Sequence, residues 1–231
     1  SNCVIMAVFF GITFYFTTSS YQKVLESEFR SNQHQMLEYI SDAIEETMNS
    51  IELLSRSTAN SYTIIHNIAN YQKQKNSYNQ LVFQNNMSQN LSAVAYSLNY
   101  IVSVNILMDD PQLQTTKVNG VYDYGNYAEG DWPEKLEKMS AGWLPSRKND
   151  LLLPSYTSDL ITYVQRIYSD LYYGEPLGHL VINLDEKMFY DVICSYANTG
   201  ESVILVVGQD GIIFSSTDRA VLGMKLDETG Y

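Results

Sequence analysis

The start of the chain constrains the fold most strongly, because an uncharged apolar run leads into a long helix-forming segment. Residues 3–16 read CVIMAVFFGITFYF, and a short polar hinge at 17–20 follows. Apolar residues then recur at alternating spacings of three and four. The positions of this seam are Leu37, Ile40, Ile44, Thr47, Ile51, Leu54 and Thr58. A repeat of about 3.5 residues is typical of a helix that lies along a partner helix or along its own domain. We therefore predict a stalk helix over residues 20–60 whose upper half packs on its own domain.

The apolar run itself is interpreted as a membrane anchor. A spanning helix needs about 20 apolar residues, and the run over 3–16 is shorter. We interpret residues 1–19 as the end of a transmembrane helix whose front lies outside the sequence. A secretory signal core and a buried core segment are the alternatives. No small-residue cleavage site follows the run and a polar helix does, so the sequence favours the anchor.

Charge and cysteine content exclude two classes of protein. The chain has 26 acidic and 14 basic residues, which gives a net charge of -12. Such a surface repels phosphate backbones, so no nucleic-acid partner is expected. The two cysteines, Cys3 and Cys194, lie far apart in sequence. A small secreted module that is held together by disulfides is therefore excluded.

The remaining residues alternate between helix and strand signals. The pattern predicts one or two helices between residues 60 and 97. Alternating β-branched residues predict strands at 100–108, 115–121, 159–169 and 177–184, the last two as a hairpin. A helix is predicted from Asp131 to Gly142, an irregular stretch at 143–150 and a further helix at 185–196. Strands with flanking helices predict an α+β domain over residues 61–197.

A second unit is predicted over residues 198–231. Strands at 202–207 and 212–216 enclose the sequence Gly-Gln-Asp-Gly, and an Asp-Gly between apolar strands is a strong hairpin signal. Two strands do not form a stable sheet alone. This unit is therefore expected to be an incomplete module.

This order of elements resembles the extracytoplasmic double-Cache sensor domain of bacterial membrane sensor histidine kinases. The segments ITYVQRI (161–167) and GHLVINL (178–184) resemble paired late strands of the membrane-distal module. The segments VVGQDGIIFS (206–215) and VLGMKL (221–226) resemble the opening of the membrane-proximal module. The resemblance implies a PAS-like antiparallel sheet flanked by helices, a small-molecule pocket in the distal module, and a partial second Cache module at the end. It also implies a second membrane helix and a cytoplasmic signalling part.

Six residues are predicted to bind the ligand. They are Arg166, Tyr168, Trp143, Tyr156, Tyr122 and Asn183. Strand alternation places four side chains on one face, those of Thr162, Val164, Arg166 and Tyr168. An arginine that is flanked by apolar strand residues is either paired with a protein carboxylate or open to a polar or anionic ligand. The amino-acid-binding version of the family has a Tyr, an Arg with neighbouring aromatics and a later Asp. Arg166 and Tyr168 partly fit that pattern, and Asn183 stands near the acidic position.

Catalysis is not expected. His34, His66 and His179 lie on different elements, and none is spaced with another metal ligand. The sequence contains no G-x-S-x-G, no glycine-rich phosphate loop and no H-E-x-x-H. We therefore expect no enzyme activity in this segment, no cofactor and no metal.

The function expected from these features is sensing of a polar or anionic small molecule on the outer side of the cell membrane. The receptor is expected to be a homodimer that is attached to the membrane through the N-terminal helix. A chemoreceptor ectodomain would share the fold. A membrane-anchored adhesion or partner-binding module that uses its tyrosines is a third hypothesis, and an anchored hydrolase is the enzyme alternative.

Overall fold

The computed structural model describes residues 2–113, 117–127, 136, 138–148, 159–169, 174–196, 203–208 and 210–231. The fold is α+β, as the sequence predicts. The α-helices of this part are α1 (Asn2–Ala59), α2 (Tyr62–Lys73), α3 (Ser77–Ala95) and α4 (Lys187–Tyr196). Its strands are β1 (Ile101–Met108), β2 (Gly120–Asp123), β3 (Ala141–Arg147), β4 (Leu160–Tyr168), β5 (Pro176–Asp185), β6 (Leu205–Val207) and β7 (Ile213–Ser216).

Helix α1 confirms the helix that is predicted over residues 20–60 and continues back to Asn2. The hinge predicted at 17–20 is wrong, because these residues are helical. Ser and Thr have only slightly unfavourable helix propensities, and neither Gly nor Pro interrupts the chain there. Among the described residues, no helix contains a stretch both long enough and apolar enough to cross a membrane.

The chain divides into two compact units, residues 1–45 and 46–231. The first consists of α1 alone, and its described side chains between Ser20 and Tyr39 are nearly all exposed. In the second unit, α1 buries Ile51, Ser55 and Thr58, which are spaced by three or four residues. This spacing confirms that the upper part of the seam packs on its own domain.

Helices α2 and α3 confirm the helical prediction for residues 60–97. Asn76 caps α3, and its side-chain Oδ1 accepts the Asn79 N–H at 2.9 Å, which satisfies an amide that has no partner within the helix. The two helices meet where the ring of Tyr71 stacks on Phe83 with a centroid separation of 4.4 Å. Buried apolar side chains on both helices, such as Ile68 and Met87, are fully removed from solvent and form part of the core.

The main sheet has the strand order β2-β1-β5-β4-β3. Strands β1 and β5, β5 and β4, and β4 and β3 pair antiparallel, whereas β1 and β2 are parallel. The predicted strands at 100–108, 159–169 and 177–184 are confirmed, and β4 and β5 form the predicted hairpin. The second strand begins at Gly120 rather than at residue 115, since a longer connection is needed before a parallel strand.

The irregular stretch predicted at 143–150 is wrong, because Ala141–Arg147 is strand β3. Its Gly142 and Pro145 are strand-breaking signals in isolation. Strand β3 lies at the edge of the sheet, where a proline does not remove a required ladder hydrogen bond. Half of the predicted helix over 131–142 lies outside the described residues. Leu136 is helical, but the predicted end near Gly142 is wrong, because 138–140 are not helical and 141–142 belong to β3.

The two faces of the sheet have different neighbours. Trp143 and Tyr163 are partners across β3 and β4, and the indole N–H of Trp143 donates to Glu52 of α1 at 2.9 Å. We call this the helix-side face. On the opposite face, Val164 and Val181 pack with side chains from the segment that follows β2. That cluster contains Leu107, Tyr122, Tyr127, Leu136, Val164 and Val181. We call this the loop-side face.

Strands β6 and β7 form the second sheet and confirm the predicted hairpin. Gly211 has φ +79°, which glycine adopts without strain, and Asp210 accepts the Ile212 N–H at 3.2 Å. The hairpin is linked to the end of β5 through the fully buried Glu186. A carboxylate oxygen of Glu186 lies 2.5 Å from Arg219 Nη2, and Ser215 Oγ donates to the other oxygen.

Candidate functional site

The loop-side face carries polar groups at two separate ends. Register places Arg166 opposite His179 at one end, and Thr162 opposite Asn183 at the other. Val164 and Val181 separate the two ends. The predicted shared face is therefore confirmed for Thr162, Val164 and Arg166, whereas a register shift precedes Tyr168.

An open cleft lies at the Arg166 end, with a volume of about 510 Å³. Its charged lining residues are Lys75, Lys138, Arg166, Asp109 and Asp110. Three cations against two carboxylates make the cleft net positive when His179 is neutral, although the whole chain carries -12. Opposite charges at a concave surface suit a small polar or charged molecule.

His179 is the centre of the hydrogen bonds in this cleft. Its side chain is buried, and Arg166 Nε donates to its Nε2 at 3.1 Å. Tyr124 Oη lies 2.6 Å from its Nδ1, and the Met139 carbonyl oxygen lies 3.2 Å from Nε2. Burial lowers the pKa of His179, the Met139 carbonyl opposes this shift, and the charge of Arg166 adds to it. The imidazole is therefore neutral near pH 7.

Asp110 forms the floor of the cleft and connects it to α2. Its carboxylate lies 2.8 Å from Lys75 Nζ and accepts the Tyr71 hydroxyl at 3.0 Å. Burial alone would raise the pKa of Asp110, but the bonds from Lys75, the Gln112 N–H and Tyr71 outweigh it and lower the pKa. Burial, together with this carboxylate, raises the pKa of Tyr71 to about 12. Asp110 is thus an anion at neutral pH that holds a lysine at the cleft wall.

The other end of the face is closed and contains Asn183, which has no exposed surface. Its Nδ2 donates to Ser103 Oγ and Tyr127 Oη, each at 2.8 Å. Its Oδ1 accepts from Thr162 Oγ1 at 2.8 Å and from Arg147 Nη2 at 3.3 Å. A side-chain amide has two N–H donors and two acceptor lone pairs, so these four bonds fill its capacity.

The neighbours of Asn183 extend this polar cluster. Asn105 Nδ2 donates to Ser103 Oγ at 3.1 Å and to Tyr127 Oη at 3.3 Å, and its Oδ1 accepts the Gly120 N–H. Burial raises the pKa of Tyr127 and lowers that of Arg147. The cluster therefore crosses β1, β5 and β4. It attaches Tyr127, in the segment that follows β2, to the sheet.

The five predicted site residues that the structure describes lie in five different environments. Arg166 lines the cleft, and Asn183 lies in the closed cluster. Tyr122 is buried on the loop-side face, where burial and then Tyr127 raise its pKa to about 12. Trp143 lies on the helix-side face, so the structure does not bring it together with Arg166. Tyr168 follows a register shift and is 41% exposed, and Tyr156 lies outside the described residues.

Sequence reasoning missed His179, Lys75 and Arg147. The strand alternation that links Arg166 to its neighbours also places His179 and Asn183 on one face of β5, so a signal for His179 was present. No comparable signal exists for Lys75, which reaches the cleft from the connection between α2 and α3 through the tertiary fold. Within the described residues no group of His, Cys, Asp and Glu side chains could hold a metal ion.

Comparisons with known proteins define the fold. No family model and no curated protein sequence matches the chain. The ligand-binding domain of the Campylobacter jejuni chemoreceptor Tlp3, solved with L-valine, matches with a TM-score of 0.55 and 20% identity, over 92% of this chain and 78% of that one. The ligand-binding domain of the Pseudomonas aeruginosa PAO1 amino acid chemoreceptor PctB, solved with L-Gln, matches with a TM-score of 0.55 and 13% identity, over 84% and 71%.

A histidine kinase shares the same architecture. The extracellular domain of the putative histidine kinase vpHK1S-Z8 matches with a TM-score of 0.50 and 13% identity, over 80% of this chain and 69% of that one. The chain therefore has the fold of the sensory domains of chemoreceptors and histidine kinases, which is the fold expected of a Cache-type sensor.

Proposed function

We propose that this chain is the extracytoplasmic small-molecule-sensing domain of a transmembrane receptor, most directly a two-component sensor histidine kinase. The observation that carries this proposal is the open, net-positive cleft at Arg166 and His179 in a fold shared with ligand-binding domains. The segment itself has no catalytic role. Its ligand is a polar or anionic small molecule that contacts Arg166.

A chemoreceptor is the second candidate, because two of the similar structures are chemoreceptor domains. The two candidates share the sensing step and differ in the cytoplasmic output. Autophosphorylation of the full receptor with ATP distinguishes them, since a methyl-accepting receptor does not transfer phosphate to itself.

Attachment to the membrane is part of the proposal and is supported by the uncharged run at residues 3–16, which lies within α1. We propose that ligand binding in the cleft shifts α1 relative to its counterpart in a receptor homodimer. In this scheme residues 20–60 form the stalk, 61–197 the membrane-distal sensing module and 198–231 the start of a membrane-proximal module.

A ligand screen tests the sensing function directly. The thermal stability of the chain is measured against amino acids, organic acids, sugars and nucleobases. A ligand at about 100 times its dissociation constant adds roughly 2.7 kcal/mol to the stability of the folded state. We expect at least one such ligand, and we expect Arg166→Ala to abolish its effect.

Lys187→Ala is the matched control, because it removes one exposed positive charge outside the cleft. It should leave the ligand effect intact. A ligand that stabilises Arg166→Ala as well as the native chain would place the binding site elsewhere. The absence of any stabilising ligand would favour a partner-binding module instead.

An insertion tests the stalk. Two residues inserted near Gln33 rotate the helix beyond that point by about 200°. Signalling by the full receptor should be lost, whereas a seven-residue insertion, about two helical turns, should retain it because the seam returns to phase. Equal signalling by both insertion variants would contradict transmission through α1.

A further inference from the structure

The Nε2 atom of His179 has two neighbours that require opposite protonation states. Arg166 Nε–H lies 3.1 Å away and can only donate, because a guanidinium has no acceptor. Nε2 must therefore be unprotonated in this contact, and the imidazole proton is on Nδ1, facing Tyr124 Oη. The Met139 carbonyl oxygen, 3.2 Å from the same Nε2, can only accept. It becomes a hydrogen-bond partner only when Nε2 carries a proton.

A second proton on His179 would exchange one partner for the other. The new Nε2–H can donate to the Met139 carbonyl, whereas it opposes the Nε–H of Arg166. The Nε edge of Arg166 would then be released from the imidazole toward the cleft. Protonation therefore changes which groups the cleft presents to a ligand.

While the cleft holds no anion, the positive charges around His179 oppose its protonation. The groups that face His179 are Arg166 on β4, Lys138 before β3, Lys75 between α2 and α3, the two carboxylates after β1 and the Tyr124 phenol. Asp110 is already bound to Lys75 and Tyr71, which leaves Asp109 as the other negative group on the cleft wall. A protonated His179 would raise the count to four cations against two anions. A bound anion beside Arg166 would compensate for that added charge.

We propose that the cleft binds a small anion bearing a carboxylate or a similar oxyanion, and that His179 takes up a proton as the anion binds. This inference rests on the proposed function, because it assigns the charge of the ligand to the same cleft. The planar fork of Arg166 suits a two-oxygen anion, and the imidazolium adds a second charged donor. The ligand and the proton then favour each other's binding.

Thermodynamic linkage between proton and anion binding gives the direction and the upper limit of the pH dependence of anion affinity. Anion affinity rises as pH falls, because the bound state holds one more proton than the free state. The affinity changes by at most about tenfold per pH unit, between the pKa of His179 in the free cleft and its pKa in the bound cleft. Equivalently, a bound anion raises the pKa of His179.

Proton NMR of the three histidines of the full chain tests this inference. The imidazole C2–H shifts are followed against pH in sodium sulfate and in sodium chloride of equal ionic strength. Sulfate serves as the probe because it remains a dianion over the range. His34 and His66 are exposed and serve as internal references. We expect sulfate to raise the midpoint of His179 by about half a pH unit or more, with both references unchanged.

Two variants decide the origin of a shift. Arg166→Gln keeps a hydrogen-bond donor but removes the charge, and it should abolish the sulfate effect on His179. Lys187→Ala removes a charge outside the cleft and should preserve it. The proposal is overturned if His179 titrates at the same midpoint in both salts, or if all three histidines shift together.

The NMR titration and the ligand screen can succeed or fail independently of each other. A ligand whose effect is lost in Arg166→Ala, together with an unmoved His179, would keep the sensing site and remove the proton-coupled anion. A sulfate-dependent shift without any stabilising ligand in the screen would keep the anion site and remove the proposed function.

Discussion

The two ends of the loop-side face are built from the same strands, yet they treat polar groups in opposite ways. At the Asn183 end, the central amide makes four hydrogen bonds to protein groups and has no exposed surface. At the Arg166 end, cations and carboxylates surround a cleft of about 510 Å³. One residue of this face on each strand separates these environments, Val164 on β4 and Val181 on β5.

The two ends differ in how easily their polar groups can change hydrogen-bond or ionic partners. A closed network whose bonds are complete resists change, because breaking it leaves buried polar groups without partners. A cleft with unlike charges can replace one contact by another at lower cost. The Asn183 end is therefore the rigid part of this face, and the Arg166 end is the part whose contacts can change.

The largest effect is expected from breaking the closed end. Asn183→Leu removes four hydrogen bonds and leaves Ser103, Thr162 and Tyr127 short of partners. We expect a loss of about 3–5 kcal/mol in the free energy of unfolding, measured by urea denaturation. The exposed Asn86→Leu is the control and should change stability by no more than about 0.5 kcal/mol. A loss at Asn183 equal to that of the control would show that the network is not rigid.

A smaller loss is expected at the floor of the cleft. Asp110→Asn removes the charge that binds Lys75 and the Tyr71 hydroxyl. Bonds to charged groups contribute about 1.5–3 kcal/mol, so we expect a loss near 2 kcal/mol at neutral pH. The lowered pKa of Asp110 means that its contribution is present above the usual aspartate pKa and lost as pH falls through the folded-state pKa. Urea denaturation from pH 7 to pH 3 should show a weaker acid dependence in the variant.

A still smaller effect is expected from His179 on acidification. Its pKa is lowered in the folded state, so the unfolded chain takes up this proton first as pH falls. Stability should therefore decrease from about pH 7 downward until the folded-state pKa is passed. His179→Gln should remove this part of the pH dependence. A native chain that gains stability over the same range would contradict the neutral imidazole that the hydrogen bonds require.

The smallest change in stability is expected from Arg166→Ala. Arg166 is half-buried and borders open space, so we expect a loss of about 1 kcal/mol or less in urea denaturation. The same variant should lose all stabilisation by the ligand. This combination sharpens the contrast with Asn183, whose substitution should damage the fold itself. A loss at Arg166 as large as that at Asn183 would remove the distinction between the two ends.

Much of the fold could be predicted because it depends on local periodicity. The alternation in β4 and β5, the Asp-Gly hairpin and the seam of α1 are patterns within single elements, and the structure confirms them. Strand β3 could not be predicted in this way. Its glycine and proline are tolerated only because β3 is an edge strand, and that is a property of the whole sheet.

The candidate site was predictable only in part, because the contacts between strands depend on the register of the whole sheet. Alternation places Arg166 on the loop-side face, but the identity of its partner depends on the register between β4 and β5, which sets His179 opposite it. Trp143 shows the converse case. Its aromatic character predicted a ligand contact, whereas the register with Tyr163 directs it toward Glu52 of α1.

The buried carboxylate of Glu186 limits where this chain can be divided. Its charge has no exposed surface, and it is compensated by Arg219 and Ser215, which lie about thirty residues further along the chain. A fragment that stops after α4 would keep the acid and lose both of its compensating donors, and an uncompensated buried charge is strongly destabilising. The main sheet and the hairpin therefore have to be expressed or transferred together, even though the sequence between them is typical of a domain boundary.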